Sequence, residues 1–115
     1  MSTRVLIPSG VLGLGFSDEA LQNGIDARPD IIAIDGGSTD SGPWYLGTGD
    51  SKYSPAVCKA EWRKLMAARA QLNIPLIIGS CGTCGVDDMV DWMATITREI
   101  AAQTQESLKL SLIHI

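Results

Sequence analysis

Three short apolar runs divide the chain, and each ends in a sequence rich in serine or glycine. The runs contain β-branched residues and do not alternate with polar positions. This pattern is typical of strands buried on both faces of a parallel sheet. The sequence therefore predicts strands over residues 4–8, Ile31–Ile34 and Pro75–Ile78.

Helical periodicity fills most of the chain between and after these strands. Ser17 can cap a short helix that runs to Gln22, and Gly24 provides a stop. Apolar residues three and four positions apart predict two longer helices, from about Pro55 to Gln71 and from about Val86 to Ala102. The order β-α-β-loop-α-β-α predicts an α/β fold with a three-layer, Rossmann-like parallel sheet. Right-handed crossovers would bring the three strand-to-helix loops to one edge, where such folds bind ligands.

Composition narrows the class of protein. Hydrophobic residues make up 45% of the chain, enough for buried strands covered by helices. The net charge of −4, with no basic stripe, argues against a nucleic-acid partner. No apolar run is long enough to predict a membrane helix. The three cysteines do not form the framework of a secreted disulfide scaffold, so a reducing cytoplasm is expected.

The first strand-to-helix loop is rich in glycine, at Gly10, Gly13 and Gly15. Backbone N–H groups in such a loop can contact a phosphate or carboxylate, and Ser9 and Gly10 are candidates for that contact together with Gly13. The spacing G-x-x-G-x-G differs from the dinucleotide fingerprint and from the P-loop. A tight turn without any ligand is the alternative.

The second loop places two carboxylates directly after a strand. Asp35 ends the strand, and Asp40 could fold back beside it to share a metal, a sugar hydroxyl or a proton. Both are candidate catalytic residues. The connection from Gly36 to Ser54 is long for a compact α/β unit, which favours a function over simple turn formation. The further candidates for ligand contact in this loop are Gly36, Gly37, Ser38 and Thr39.

The third loop contains Cys81 and Cys84 in a C-x-x-C spacing ahead of a helix. A redox pair or half of a metal site is one interpretation. The favoured interpretation is that small residues let this loop run close to a ligand or to the first loop. Gly79, Ser80 and Gly82 are therefore candidate ligand-binding residues, while no metal ligand is assigned and the cofactor is left open.

Three segments together resemble the acyclic terpene utilisation (AtuA-like) family. They are Ile7-Pro8-Ser9-Gly10, the stretch from Pro29 to Gly47, and the stretch from Ile74 to Ser80. The most specific motif is D-x-G-S-T-D-x-G-P-x-Y-L-G, present from Asp35 to Gly47, and the resemblance spans nearly all of residues 4–104.

The resemblance implies a bacterial, cytosolic catabolic protein of several hundred residues, associated with the degradation of branched acyclic isoprenoids. Relatives carry small residues where Cys81 and Cys84 stand, which weakens a redox role. The resemblance remains compatible with a binding cleft built from the three glycine-rich loops.

The last six residues, Leu110–Ile115, read as the translation of CTG TCT CTT ATA CAC ATC. That string resembles the mosaic-end adapter of transposon-based sequencing libraries, and such segments are excluded from fold reasoning. The alternative is an ordinary C-terminal strand. With the adapter interpretation, residues 1–109 are expected to be the N-terminal part of a longer, incomplete parallel α/β domain.

Two functions follow as hypotheses. In the first, the loops hold an anionic small molecule, a carboxylate or an acyl-CoA, and Asp35 and Asp40 supply acid/base or metal-binding chemistry. Any catalytic partner would come from a missing C-terminal part or a second subunit, and a homo-oligomer is compatible with this. In the second, the chain is a non-catalytic ligand-binding or assembly subunit whose aspartates shape the loop.

Overall fold

The computed structural model describes residues 1–38 and 40–114. Thr39 of the second loop and Ile115 of the suspected adapter segment lie outside the described residues. The described chain forms three parallel strands in the order β1-β2-β3, with four helices, which confirms the predicted α/β, Rossmann-like fold class. The elements are β1 Val5–Leu6, α1 Asp18–Asp26, β2 Ile31–Gly37, α2 Gly42–Thr48, α3 Pro55–Leu72, β3 Leu76–Thr83 and α4 Asp87–Thr104.

The hydrophobic core lies between one face of the sheet and the three longer helices. Ile32 and Ile34 of β2 point into it, and their register partners Leu76 and Ile78 pack against it. Core residues from α1, α3 and α4 belong to the same cluster. They include Leu21 and Ile25 of α1, Trp62 and Leu65 of α3, and Met93 and Ile100 of α4.

The opposite face of the sheet is open to solvent in the described part of the chain. Val5 of β1 and Ile77 of β3 are 51% and 52% exposed, and Ile7 is 65% exposed. In a three-layer fold this is the face on which the third layer would lie.

Helix α1 begins as the sequence predicts, because the Ser17 side chain accepts a hydrogen bond from the Ala20 N–H at 3.0 Å. Gly24 does not end the helix, which continues to Asp26. The absence of a side chain at Gly24 serves packing instead, since a Cβ atom there would overlap the Leu6 side chain of β1. The predicted stop at this glycine is therefore wrong.

Strands β2 and β3 extend through the glycines that the sequence assigns to loops. Asp35 pairs with Gly79, and Gly37 pairs with Thr83, so β3 carries two more residues than β2 between these pairs. This irregularity is a β-bulge. The long connection after β2 also contains helix α2, which the sequence analysis did not predict.

None of the helices in residues 1–38 and 40–114 is both long and apolar enough to cross a bilayer. After α4, residues 106–114 have no regular secondary structure. Their start is fixed by an ion pair of 2.8 Å between Arg69 Nη1 and Glu106 Oε1.

Candidate functional site

A cleft of about 350 Å³ lies at the carboxyl edge of the sheet. It brings together predicted residues from all three loops, namely Gly10, Asp35, Gly79 and Ser80. This is the edge at which parallel α/β folds bind ligands. The remaining lining comes from Ile7, Ala33 and Ile34, of which Ile34 has its side chain in the core on the other face of the sheet.

Asp35 is the ionisable group of this cleft. Its carboxylate Oδ1 accepts a hydrogen bond of 2.9 Å from the Gly37 N–H, and the side chain is exposed to solvent. Its backbone carbonyl accepts a hydrogen bond of 2.8 Å from the Leu12 N–H of the first loop. Asp35 is thus held near the end of β2, with one carboxylate oxygen hydrogen-bonded to the Gly37 N–H.

Four of the predicted ligand-binding glycines have structural reasons to lack a side chain. A Cβ atom at Gly36 would lie 2.9 Å from the Ser80 carbonyl oxygen, and one at Gly37 would overlap the Thr83 carbonyl. Gly13 has a φ of 107° and contacts Tyr53, while Gly82 has a φ of 60° and contacts Met89. Packing or backbone conformation therefore accounts for these positions without a ligand.

Gly10 and Gly79 differ from those four. A Cβ atom at either position would meet no atom within 4 Å, and neither residue has a positive φ. Both line the cleft. Neither packing nor backbone conformation requires glycine here, so the open space above them is available to a ligand that approaches the backbone.

Asp40 and Ser38 are not part of the cleft lining. The Ser38 hydroxyl donates a hydrogen bond to the Asp40 carboxylate, and this bond lowers the pKa of Asp40 below its ordinary value. No hydrogen bond between described residues joins Asp40 to Asp35. Ser9 also lies outside the lining, where its hydroxyl donates to the Val11 carbonyl at 3.3 Å.

The bulge of β3 forms the third side of the site and carries unusual backbone conformations. Ser80 and Thr83 have φ values of 50° and 80°, which are uncommon for residues with a Cβ atom and especially for a β-branched one. Buried Thr83 accepts a hydrogen bond of 3.0 Å from the Lys52 N–H. Residues held in such conformations cluster at binding sites, where the surrounding structure fixes them.

Two of the three cysteines are buried thiols with raised pKa values. Cys81 is buried in β3, and burial raises the pKa of its thiol above the ordinary value. Cys58 is also buried, and burial together with the nearby Glu61 carboxylate raises its pKa. Within the described residues, no three side chains of His, Cys, Asp or Glu come together as a metal site would need.

A larger apolar cleft of about 870 Å³ lies along the outer edge of β3, between that strand, α4 and residues 107–113. It shares Gly79 and Ser80 with the smaller cleft. One of its walls consists of residues 107–113, of which residues 110–113 are expected from the sequence to be a translated adapter. The smaller cleft, whose lining lies entirely within residues 7–80, is the better candidate site.

The apolar part of the lining was not predicted from the sequence. Ile7 and Ala33 were assigned only to strands, although alternation along the strands puts them on the open face. Glu61 and Tyr53 were not predicted either, and they contact the first loop from α3 and from the segment before it. Glu61 lies on the buried side of its helix, and a carboxylate at such a position is the signal that could have identified it.

Comparison of the chain with protein-family models, with curated proteins and with solved structures found no match in any of the three.

Proposed function

We propose that this chain binds a small amphipathic molecule in the carboxyl-edge cleft. The observation that carries the proposal is the pair Gly10 and Gly79, which line the cleft and have open space where a side chain would lie. Ligands that approach a backbone closely favour glycine at the point of contact. Apolar walls with a few convergent polar groups are the usual composition of small-molecule sites.

The lining favours one of the two predicted ligand classes over the other. Ile7 and Ala33 would pack against an apolar chain, while Asp35 and Ser80 offer polar contacts. A free carboxylate would lie beside the Asp35 carboxylate, and the described lining includes no Lys or Arg to offset the repulsion. An acyl-CoA presents an uncharged thioester there instead and can keep its phosphates outside the cleft. The ligand we propose is therefore a branched acyl-CoA.

The wider assignment to an AtuA-like catabolic protein of the bacterial cytoplasm is part of the same proposal. It is supported by the motif from Asp35 to Gly47 and by cysteine usage that is not typical of secreted proteins. In that setting Asp35 is the candidate acid/base group, because it lies in the cleft. Asp40 is a weaker candidate, since its hydrogen bond with Ser38 favours the ionised form and makes it a poorer base.

Calorimetric titration tests the proposal with the CoA thioester of citronellic acid, a branched acyclic isoprenoid acid, and with free citronellate and CoA as comparators. The thioester is expected to bind more tightly than either comparator. Gly10→Ala and Gly79→Ala should each weaken binding by about tenfold or more, which corresponds to ~1.4 kcal/mol.

Gly47→Ala is the matched control. Gly47 lies in α2, and a Cβ atom there also meets nothing within 4 Å, but the residue is not part of the cleft. The Gly47→Ala variant should bind the thioester as tightly as the wild type does. Equal affinity of all three glycine variants, or equal binding of CoA and the thioester, would reject the cleft as the site.

The second candidate function is a non-catalytic binding or assembly subunit. It is favoured by the hydrogen bond from the Gly37 N–H to Asp35 Oδ1, since a turn-shaping aspartate would make that bond. Asp35→Asn keeps an oxygen acceptor for this bond and removes the charge. Mass spectrometry would then follow consumption of the thioester in the wild type and the variant. Turnover that is lost in the variant while binding is retained supports an enzyme, and binding without turnover in both proteins supports the subunit.

A further inference from the structure

A buried carboxylate of helix α3 lies against the first loop. Glu61 is 8% exposed, and its Oε2 accepts a hydrogen bond from the Gly13 N–H. A Cβ atom built on Gly15 would lie 3.7 Å from Oε1, so the same carboxylate is also near the end of the loop. Glu61 thus contacts the loop that carries Gly10 of the cleft.

The carboxyl group of Glu61 is mostly buried and has no cationic partner among the residues that the structure describes. Among the described residues, the ion pairs involve Asp18, Asp91, Glu99 and Glu106, and no Lys, Arg or His lies within ion-pair distance of Glu61. Burying a carboxylate is unfavourable unless hydrogen bonds compensate it. An apolar side chain of similar size would serve packing at lower cost, so the contact with Gly13 is the feature that requires a carboxylate or carboxamide.

The loop has a second attachment that connects it to the cleft. The Leu12 N–H donates to the Asp35 carbonyl at 2.8 Å, and the Leu12 side chain is buried at 2% exposure. Adjacent residues of the loop are therefore held from two sides, Leu12 by β2 and Gly13 by α3. Tyr53, in the segment before α3, also packs against Gly13 and gives the loop a third contact.

We propose that Glu61 is a positioning residue that fixes the first loop, and with it Gly10, relative to Asp35. Glu61 acts through Gly13 and does not line the cleft itself. The inference rests on the proposed function only for its effect on ligand affinity, because the loop geometry is measurable without a ligand. It also implies that the Gly13 N–H is occupied by the protein, so a ligand would have to displace Glu61 to use it.

Amide hydrogen exchange measured by NMR on the full chain tests the positioning role in the absence of ligand. Glu61→Met keeps the side-chain volume and removes the acceptor, whereas Glu61→Gln keeps an acceptor oxygen without the charge. In Glu61→Met the Leu12 and Gly13 amides should exchange about tenfold faster or more, as expected for the loss of a charge-assisted hydrogen bond. Glu61→Gln should restore most of the protection, and the Leu65 amide of the core should be unaffected.

Glu99→Met is the matched control, because Glu99 is a half-exposed glutamate of α4 paired with Lys59. It should leave the exchange of Leu12 and Gly13 unchanged. Titration with the citronellic acid thioester then tests the effect on the cleft: Glu61→Met should weaken binding about tenfold and Glu61→Gln by much less, because only the first removes the acceptor.

The outcomes separate this inference from the proposed function. If the wild type does not bind the thioester, the proposed function fails, and faster exchange in Glu61→Met still supports the positioning role. Unchanged exchange of Leu12 and Gly13 in Glu61→Met overturns the inference. Failure of Glu61→Met to fold while Glu61→Gln behaves as wild type also overturns it, since Glu61 would then serve the whole fold rather than the loop.

Discussion

Gly37 has no room for a side chain, because a Cβ atom there would overlap the backbone carbonyl of Thr83. Gly79, the register partner of Asp35 on β3, has open space at the same position. We expect Gly37→Ala to lower the free energy of unfolding by about 1–3 kcal/mol, the range for overpacking a site that cannot relax. Gly79→Ala should change it by less than about 0.5 kcal/mol, as at other open positions. Urea denaturation of both variants measures the contrast, and equal effects would contradict it.

The three thiols should differ in reactivity in the native protein. Cys58 and Cys81 are buried and their pKa values are raised, so little thiolate forms at neutral pH, whereas Cys84 is partly exposed. We expect one equivalent of a disulfide reagent to react readily, and Cys84→Ser to abolish that fast phase. The other two thiols should react only with unfolding. Fast reaction at Cys81 would instead support the redox interpretation of the C-x-x-C pair.

Cys58 and Cys81 should also make the free energy of unfolding fall as the pH becomes alkaline. Because the folded-state pKa values of Cys58 and Cys81 are raised, both thiols stay protonated in the native state while the unfolded chain ionises first. Their contribution to the free energy of unfolding is fully present below the ordinary thiol pKa. It is lost as the pH rises through the raised pKa values of the folded state. Thermal unfolding above neutral pH should therefore show a declining Tm, and Cys58→Ala plus Cys81→Ala should flatten that decline.

At the scale of elements, two glycines inside helices predict opposite effects of the same substitution. Gly24 of α1 packs against Leu6, while Gly47 of α2 meets nothing within 4 Å. Alanine normally stabilises a helix interior by about 0.5–1 kcal/mol relative to glycine, and Gly47→Ala should follow that rule. Gly24→Ala should lose about 1–2 kcal/mol, because the new methyl group must displace the Leu6 side chain. Urea denaturation compares the two, and stabilisation by both variants would show that α1 can shift away from β1.

At the scale of the whole molecule, the open face of the sheet is the main exposed apolar surface of the strands. Val5, Ile7 and Ile77 are each at least half exposed, and exposed apolar strands promote association. We expect the chain to self-associate at micromolar concentration in sedimentation velocity. Ile7→Thr plus Ile77→Thr should shift it toward monomer, whereas Val57→Thr, at an exposed position of α3, should not. A monodisperse wild-type monomer would contradict this prediction.

Local patterns in the sequence determined most of the elements. The apolar runs at Ile31–Ile34 and Pro75–Ile78 predicted two of the strands, and the periodicity from Pro55 predicted α3 to within one residue of its end. These features depend on neighbours along the chain. Likewise, Asp35 follows the apolar run Ile31–Ile34 and was therefore expected near the carboxyl end of a strand, where the carboxyl ends of parallel strands share one edge; it lines the cleft.

Only the tertiary structure decided what each glycine and carboxylate does. Gly10, Gly37 and Gly79 all follow predicted strands, yet Gly10 and Gly79 face open space whereas Gly37 is enclosed by the Thr83 carbonyl of another strand. The contact between Glu61 and Gly13 spans 48 positions of sequence, so no local pattern contains it. The sequence determines which backbone conformations are favourable, whereas the space around a residue is set by distant segments that meet only when the chain folds.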